Sequence, residues 1–375
     1  MTTTLTWDQV LGWRVGRHRL PDPAGDPVEV VSALAGVQTQ VAASAHQALA
    51  VRCGTPAGID VDRLLWEDRA LVKTWAMRGT LHLLPAAEWD DWVAVLGTRE
   101  WRITAGWVRY HGVTEDELHA VTDAIPEALG DDPLTRDELA ERVAAVTGLS
   151  HLGEQLRSGW SQVLKPAANR GLLCQGPPRD GAVTFVDPAR WLGRSRRRSA
   201  RDPDAAIAGV LSRFLDAYGP ATRDDLARWL GVTPKAARLL LKAHSDAFAE
   251  VEVAGRAAWM TPAGAAAAAS SGPADGVFLL PGFDPYVLAP ISHRDEIIPA
   301  GRVDAVSRSA GWISPVLLVD GRIAGTWEPS ADRGTTTVTV TPFAKLPERV
   351  VAAARAHLAD RYAPALGGDV RLAVA

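Results

Sequence analysis

A ten-residue pattern occurs twice in the chain, as Leu134-Thr135-Arg136-Asp137-Glu138-Leu139-Ala140-Glu141-Arg142-Val143 and as Ala221-Thr222-Arg223-Asp224-Asp225-Leu226-Ala227-Arg228-Trp229-Leu230. In each copy a threonine is followed three residues later by an acid, the reciprocal pairing that satisfies free N–H groups where a helix begins. Gly231-Val232-Thr233-Pro234 follows the second copy and reads as a helix-to-helix turn, with Thr233 as cap and Pro234 at the first helical position. The next helix carries Lys235, Arg238 and Lys242 at spacings of three and four, one basic stripe, with Leu239, Leu240 and Leu241 crossing toward the opposite side. The stripe fits phosphate contact and a solvated face equally. A hairpin follows each copy, turning at Arg179-Asp180-Gly181 and at Gly255-Arg256. A repeated helix-turn-helix with a hairpin wing restricts the chain to an α+β fold of tandem small units, a pattern that argues for DNA binding but not for catalysis.

The remainder of the chain can be divided on the same basis. Thr6 caps a first helix, and Pro21, Pro23, Gly25 and Pro27 enforce a loop. Residues 28–35 and 40–52 read as two short helices, 60–67 as another, and 72–84 as a hairpin turning at Arg78-Gly79. That series makes 1–125 the first winged-helix unit, 126–200 the second with an arginine-rich linker, and 201–265 the third. Trp89, Trp92, Trp101 and Trp107 recur at helical spacing, which favours core over base stacking. Residues 263–276, rich in Ala, Gly and Ser, separate a mostly-β region over 277–375. There Asp320-Gly321 joins two apolar runs as a hairpin, residues 335–341 alternate as a strand, 347–361 form a helix and 369–374 close the sheet.

Net charge is −4, with 47% apolar and 22% charged residues. The chain is long enough for more than one core, and any nucleic-acid face must be a local concentration of cations rather than a global field. The cysteines, Cys53 and Cys174, form no metal or redox motif. No leader or membrane-length apolar run is present, so a cytoplasmic location is expected. Walker, dinucleotide, zinc and nucleophile-elbow patterns are absent.

The chemistry-bearing stretch is Gly36-Val37-Gln38-Thr39-Gln40-Val41. Residues i and i+2 diverge in a helix but can converge in an extended or first-turn geometry, which Gly36 permits. An amide is no general base, yet it can accept from a water and donate elsewhere. Such a pair places a water without activating it strongly, enough only for a bond already close to breaking. The alternative is that Gln38 and Gln40 satisfy free N–H groups at a helix start.

Gln38-Thr39-Gln40 after an apolar helix, the run Val72-Lys73-Thr74-Trp75-Ala76-Met77-Arg78-Gly79-Thr80-Leu81-His82-Leu83-Leu84-Pro85, and Leu279-Leu280-Pro281-Gly282-Phe283-Asp284-Pro285-Tyr286 together resemble the AlkZ-type winged-helix DNA glycosylases, over nearly the whole chain. The resemblance implies three tandem winged-helix units around a concave DNA-binding face. It implies hydrolysis of the N-glycosidic bond of cationic N7-alkylated purines, interstrand crosslinks included, as repair or self-resistance to a genotoxic natural product. Gln38 and Gln40 would be catalytic, without a cofactor, in a monomer acting on double-stranded DNA. The family's motif has an apolar middle residue where this chain has Thr39, and related branches carry an aspartate where it has Gln40. No lysine has a Schiff-base context, so the expected product is an abasic site without strand cleavage. Asp284 and Tyr286 either neighbour the active cleft or form a packed turn. The competing class is a non-catalytic winged-helix regulator or damage-sequestering factor.

Backbone contacts are expected from arginine-dense Arg190-Trp191-Leu192-Gly193-Arg194-Ser195-Arg196-Arg197-Arg198-Ser199-Ala200-Arg201, since neutralising phosphates releases counterions. The candidates there are Arg194, Arg196, Arg197 and Arg198, joined by Arg179 and Arg322 at hairpin tips and by the Lys235, Arg238, Lys242 stripe.

Overall fold

The helix starts obey the local chemistry read from the sequence. Thr6 and Gln9 close a capping box on Trp7–Arg17, Asp26 and Glu29 on Pro27–Ala33, Thr114 and Glu117 on Glu115–Leu129, and Thr135 and Glu138 on Arg136–Thr147. Thr222 and Asp225 bond reciprocally at the start of Arg223–Leu230, and Thr233 caps Pro234–Ala243 with Pro234 in its first turn. These elements belong to a computed structural model that describes residues 2–101, 103–159, 162–194, 202–288, 290–366 and 369–375.

Three times along the chain a run of helices ends in an antiparallel hairpin. The hairpins are Leu71–Trp75 with Leu81–Pro85, Cys174–Arg179 with Ala182–Val186, and Ala249–Val253 with Arg256–Met260. The second turns on Asp180-Gly181, with φ of +51° and +78°. The third turns on Ala254-Gly255, one residue earlier than the expected Gly255-Arg256. Two consecutive left-handed residues are needed to match the strand twist, Ala254 and Gly255 supply them at +49° and +76°, and Arg256 already opens the strand.

The chain forms two compact units, residues 1–60 with 211–229 and 233–375, and residues 61–210 with 230–232. In the first, Thr3–Leu5 pairs parallel to Ala249–Val253, and a five-stranded sheet runs in sequence order through Val277–Leu280, Val316–Val319, Arg322–Asp332, Thr335–Pro342 and Asp369–Val374. The last pair is parallel, because the helix Glu348–His357 and its continuation to Leu366 carry the chain back along the sheet. The core of this sheet takes Leu11, Val15, Leu20 and Val51 from the N-terminal sixty residues. In the second unit, Val121, Ile125, Leu139, Val143, Leu164 and Phe185 share one core.

The stretch 263–276 is not merely a spacer. Pro262–Ala269 is a helix capped by Thr261, with Ala265 and Ala268 buried against Leu5, Val10 and Trp13. Alanine is the best helix former and its small side chain allows close approach, so composition suggestive of a linker makes a packed helix instead.

Three buried imidazoles, His18, His82 and His293, and the half-buried His357 stay neutral in the fold. Burial, with Arg78, Arg14 and Arg361 respectively adding repulsion, holds His82, His293 and His357 down at about 3, and burial with Arg52 and Arg14 holds His18 well below its ordinary range. Their folded values lie below the unfolded value of roughly 6.5. Their contribution is therefore complete above that pH and lost as pH falls toward the folded values, because the unfolded chain binds the extra protons. The urea midpoint should fall steadily as pH drops below about 6.5; identical midpoints at neutral pH and well below it would contradict this.

Candidate active site

Helix Pro27–Ala33 ends by overwinding. Ala35 N–H donates to Ser32 O and Gly36 N–H to Val31 O, at 3.0 and 2.9 Å, which requires left-handed backbone at Ala35 and Gly36, with φ of +51° and +92°. Val30, Val31, Leu34, Ala35 and Val37 are all buried, and Tyr218 Oη donates to Leu34 O at 2.9 Å. The turn therefore delivers an extended Val37–Gln38 from a rigid base. Gln38 and Thr39 are 7% and 4% exposed, whereas Gln40 faces solvent at the bend before helix Ala42–Ala50. One amide stands in a buried wall and the other at its surface. That helix starts at Val41, whose side chain makes no capping bond.

Behind this arm lies an interaction that sequence reading did not find. Arg52, just past the helix end, donates from Nη1 to Asp284 Oδ2 at 2.8 Å and from Nη2 to Asp284 Oδ1 at 2.6 Å, both side chains fully buried. Nη1 also donates to Ala48 O at 3.0 Å, and Asp284 Oδ1 accepts from Tyr286 N–H at 2.9 Å. Asp284 and Tyr286 are thus a packed turn, not exposed groups of a cleft. Next to them the buried Arg14 donates to Tyr286 O and to His293 Nδ1, the latter at 3.1 Å, and stacks 4.2 Å over the Tyr286 ring. With Nδ1 accepting, His293 donates from Nε2 to Pro220 O at 2.6 Å, the neutral tautomer. The only sequence signal for Arg52 was a cation closing an alanine-rich helix. Phe283, held at φ +57°, meets the half-exposed Trp312 edge-on at 5.0 Å.

The expected DNA contacts fall into distinct settings. Lys235, Arg238 and Lys242 are solvent-exposed on one face of Pro234–Ala243. Arg238 and Lys242 border a cavity of about 400 Å³ shared with Thr222 and Trp259. Of the three leucines expected opposite, only Leu241 is buried and Leu239 is 51% exposed, since consecutive helical residues lie about 100° apart. Arg179 is ion-paired to Glu138, Arg194 to Asp90 at 3.3 Å and Arg322 to Asp8 at 3.0 Å. The Thr135 N–H and then Arg179 hold Glu138 at about 2. Arg196, Arg197 and Arg198 lie outside the described residues. Trp89 and Trp92 are core, and Trp101 and Trp107 are half-buried.

Asp284→Asn leaves the Arg52 charge buried without its counterion and should lower stability by about 3–5 kcal/mol, read by urea denaturation. Arg52→Met with Asp284→Leu should recover much of that loss. Single variants within about 1 kcal/mol of the parent would show that the pair is not the anchor.

The chain matches the family model described as DNA glycosylase AlkZ-like over residues 31–364. It is 38% identical over 362 residues to the interstrand DNA cross-link repair glycosylase of Streptomyces sahachiroi, covering 94% of this chain and 96% of that one. The solved structure of the Streptomyces sahachiroi DNA glycosylase AlkZ superimposes with a TM-score of 0.89 at 36% identity, covering all of both chains. Sequence and mixed α/β fold lead to one conclusion: the chain belongs to the AlkZ-like family of DNA glycosylases.

Proposed function

We propose that this glycosylase hydrolyses the N-glycosidic bond of cationic N7-alkylated purines in duplex DNA, with Gln38 and Gln40 holding the attacking water. The observation that carries the reading is the rigid turn at Ala35-Gly36, which presents two amides one residue apart, one in a buried wall and one at the surface. Alkylation at N7 makes the purine a leaving group that needs no protonation. As the C1′–N9 bond breaks, its electron pair neutralises the base. Water oxygen bonds to C1′ and its proton passes to solvent. Amides can orient that water and stabilise it by hydrogen bonds but cannot take its proton, so the mechanism suits a substrate already close to dissociation. The products are free base and an abasic site.

Crosslinked purines fit the same chemistry, and the similarity to the Streptomyces interstrand cross-link repair glycosylase supports including them. The helix runs ending in hairpins support three winged-helix units at 1–125, 126–200 and 201–265, with a C-terminal region at 277–375. In this reading the exposed Lys235, Arg238 and Lys242 contact backbone, as do Arg196, Arg197 and Arg198. Arg179, Arg194 and Arg322 join them by exchanging their acids for phosphate. The protein acts as a monomer in the cytoplasm, alongside the nucleoid.

On duplex containing N7-methylguanine, Gln38→Ala and Gln40→Ala should each slow release of free base about ten- to a hundredfold, the loss of roughly one hydrogen bond of about 1–3 kcal/mol to the water. Duplex affinity should barely change. Gln40→Asp should remain active, and Gln40→Leu, similar in size but unable to hold water, should be nearly inactive. Equal excision by wild type, Gln38→Ala and Gln40→Leu would place the chemistry elsewhere, and no excision by wild type would favour a non-catalytic DNA-binding protein.

Neutralising Arg196, Arg197 and Arg198 together should weaken binding to all duplexes about equally and flatten its salt dependence. An unchanged salt slope would make that segment a linker only.

A further inference from the structure

In the second compact unit, the turn of hairpin 71–85 holds Arg78 and Gly79 in left-handed backbone, with φ of +57° and +70°. Gly79 has no side chain, and the space this leaves is flanked by two cations. A Cβ built there would lie 3.8 Å from Lys165 Nζ and 3.9 Å from Arg99 Nη2. Gly231, which belongs to the same unit, lets Arg99 pack directly on the backbone: its Cβ would lie 2.9 Å from Arg99 Nη2 and 3.5 Å from Arg78 Cα. Arg99 and Lys165 thus flank a turn that itself carries Arg78.

The cluster is organised rather than accidental. Arg99 is fixed through Nη1, which donates to Ala76 O and Asn169 Oδ1, each at 3.0 Å, while Asn169 donates to Trp75 O at 2.8 Å. This leaves Nη2 beside Gly79 and Gly231. Burial and Arg78 keep His82 neutral at about 3; its Nδ1 donates to Thr80 O at 2.9 Å and Nε2 accepts from Arg78 Nη2 at 3.4 Å, which orients that guanidinium.

Lys165 is only 9% exposed, and among the described residues nothing forms a hydrogen bond or ion pair with its ammonium group. Its pKa is lowered, first by burial and then by Arg99, and that of Arg99 is lowered by burial to about 10. Both cations therefore stand where charge is disfavoured, with no carboxylate paired to either among the described residues. Such an arrangement is stabilised by an anion from outside. A guanidinium fork and an ammonium group on either side of one turn suit a tetrahedral oxyanion, with the Arg78 guanidinium carried by that same turn, and a DNA glycosylase meets such groups along every strand.

From this geometry we propose that Arg78, Arg99 and Lys165 form a built site for a phosphodiester of the DNA backbone. Its residues are not those of the arginine-rich segment or of the exposed lysine stripe, and it does not rest on the assignment of Gln38 and Gln40. Because it is preformed and half-buried, it fixes one phosphate in position instead of adding diffuse attraction.

The test uses the full chain and undamaged duplex DNA, with affinity measured across a potassium chloride series. Lys165→Met should lower the slope of log affinity against log salt, and Arg78→Gln with Lys165→Met should lower it by about one, the share of a single phosphate, irrespective of sequence. Lys165→Arg should restore the slope. Thermal midpoints without DNA should not fall, since each change removes one like charge from the cluster, a behaviour that a merely structural lysine would not show. An unchanged slope in Lys165→Met overturns the proposal, as does a slope lost only together with the thermal midpoint. Inorganic phosphate that raises the wild-type midpoint while Lys165→Met leaves the DNA slope intact would mark a small-anion site and also overturn it. Gln38→Ala should retain the wild-type slope, so failure of the catalytic reading leaves this result interpretable.

Discussion

The buried, bidentate ion pair between Arg52 and Asp284 is the contact on which the candidate active site depends. Taking both charges out of water is unfavourable unless the geometry is good and the remaining polar atoms are bonded. Here Ala48 O and Tyr286 N–H supply further bonds. The pair ties the helix that follows the glutamines to the Leu-Pro-Gly-Phe-Asp-Pro-Tyr turn, 232 residues away in the chain. Apolar packing of that alanine-rich helix would tolerate sliding, because small side chains interlock weakly. A charged fork that fits one carboxylate does not, and it gives the glutamine arm a defined register.

The arm itself is held from the other end by backbone geometry. Ala35 and Gly36 adopt left-handed conformations, and the surrounding side chains are almost wholly buried. A strained segment persists when its environment over-determines it, and this one lies immediately before the two amides. The arm carries no ionisable group between Gly36 and Val41. In the proposed reading its chemistry is accordingly that of orientation and hydrogen bonding, and the driving force would come from the charge of an alkylated substrate.

Charge is deployed locally. The chain is acidic overall at −4, yet its basic groups occur in three different physical states. Some are neutralised in ion pairs, as Arg179, Arg194 and Arg322 are. Others lie open to water, as on the helix Pro234–Ala243. Arg99 and Lys165 are half-buried or buried, with no acid paired to either among the described residues. Exposed cations are screened within about 10 Å at ordinary salt, whereas sheltered ones keep their field and impose a geometry. If both proposed contacts hold, diffuse attraction and fixed registration would be combined in one chain of negative net charge.

Features set by neighbours in sequence were legible before the fold was known. Thr135 with Glu138 and Thr222 with Asp225 cap helices because the partners lie one turn apart. Asp180-Gly181 and Asp320-Gly321 make hairpins because two adjacent residues must take positive φ. The family motif could likewise be read from Gln38 and Gln40, and the chain belongs to the family it resembles. Tertiary structure decided what depends on distant partners. It turned Pro262–Ala269 from an apparent spacer into a packed helix, paired Thr3–Leu5 with Ala249–Val253, and matched Arg52 with Asp284. It also gathered Arg78, Arg99 and Lys165 around a glycine turn. The reason is physical: caps and turns are closed by bonds spanning two to four residues, whereas the burial that sets a charge's partner, or denies it one, exists only after remote segments have packed together.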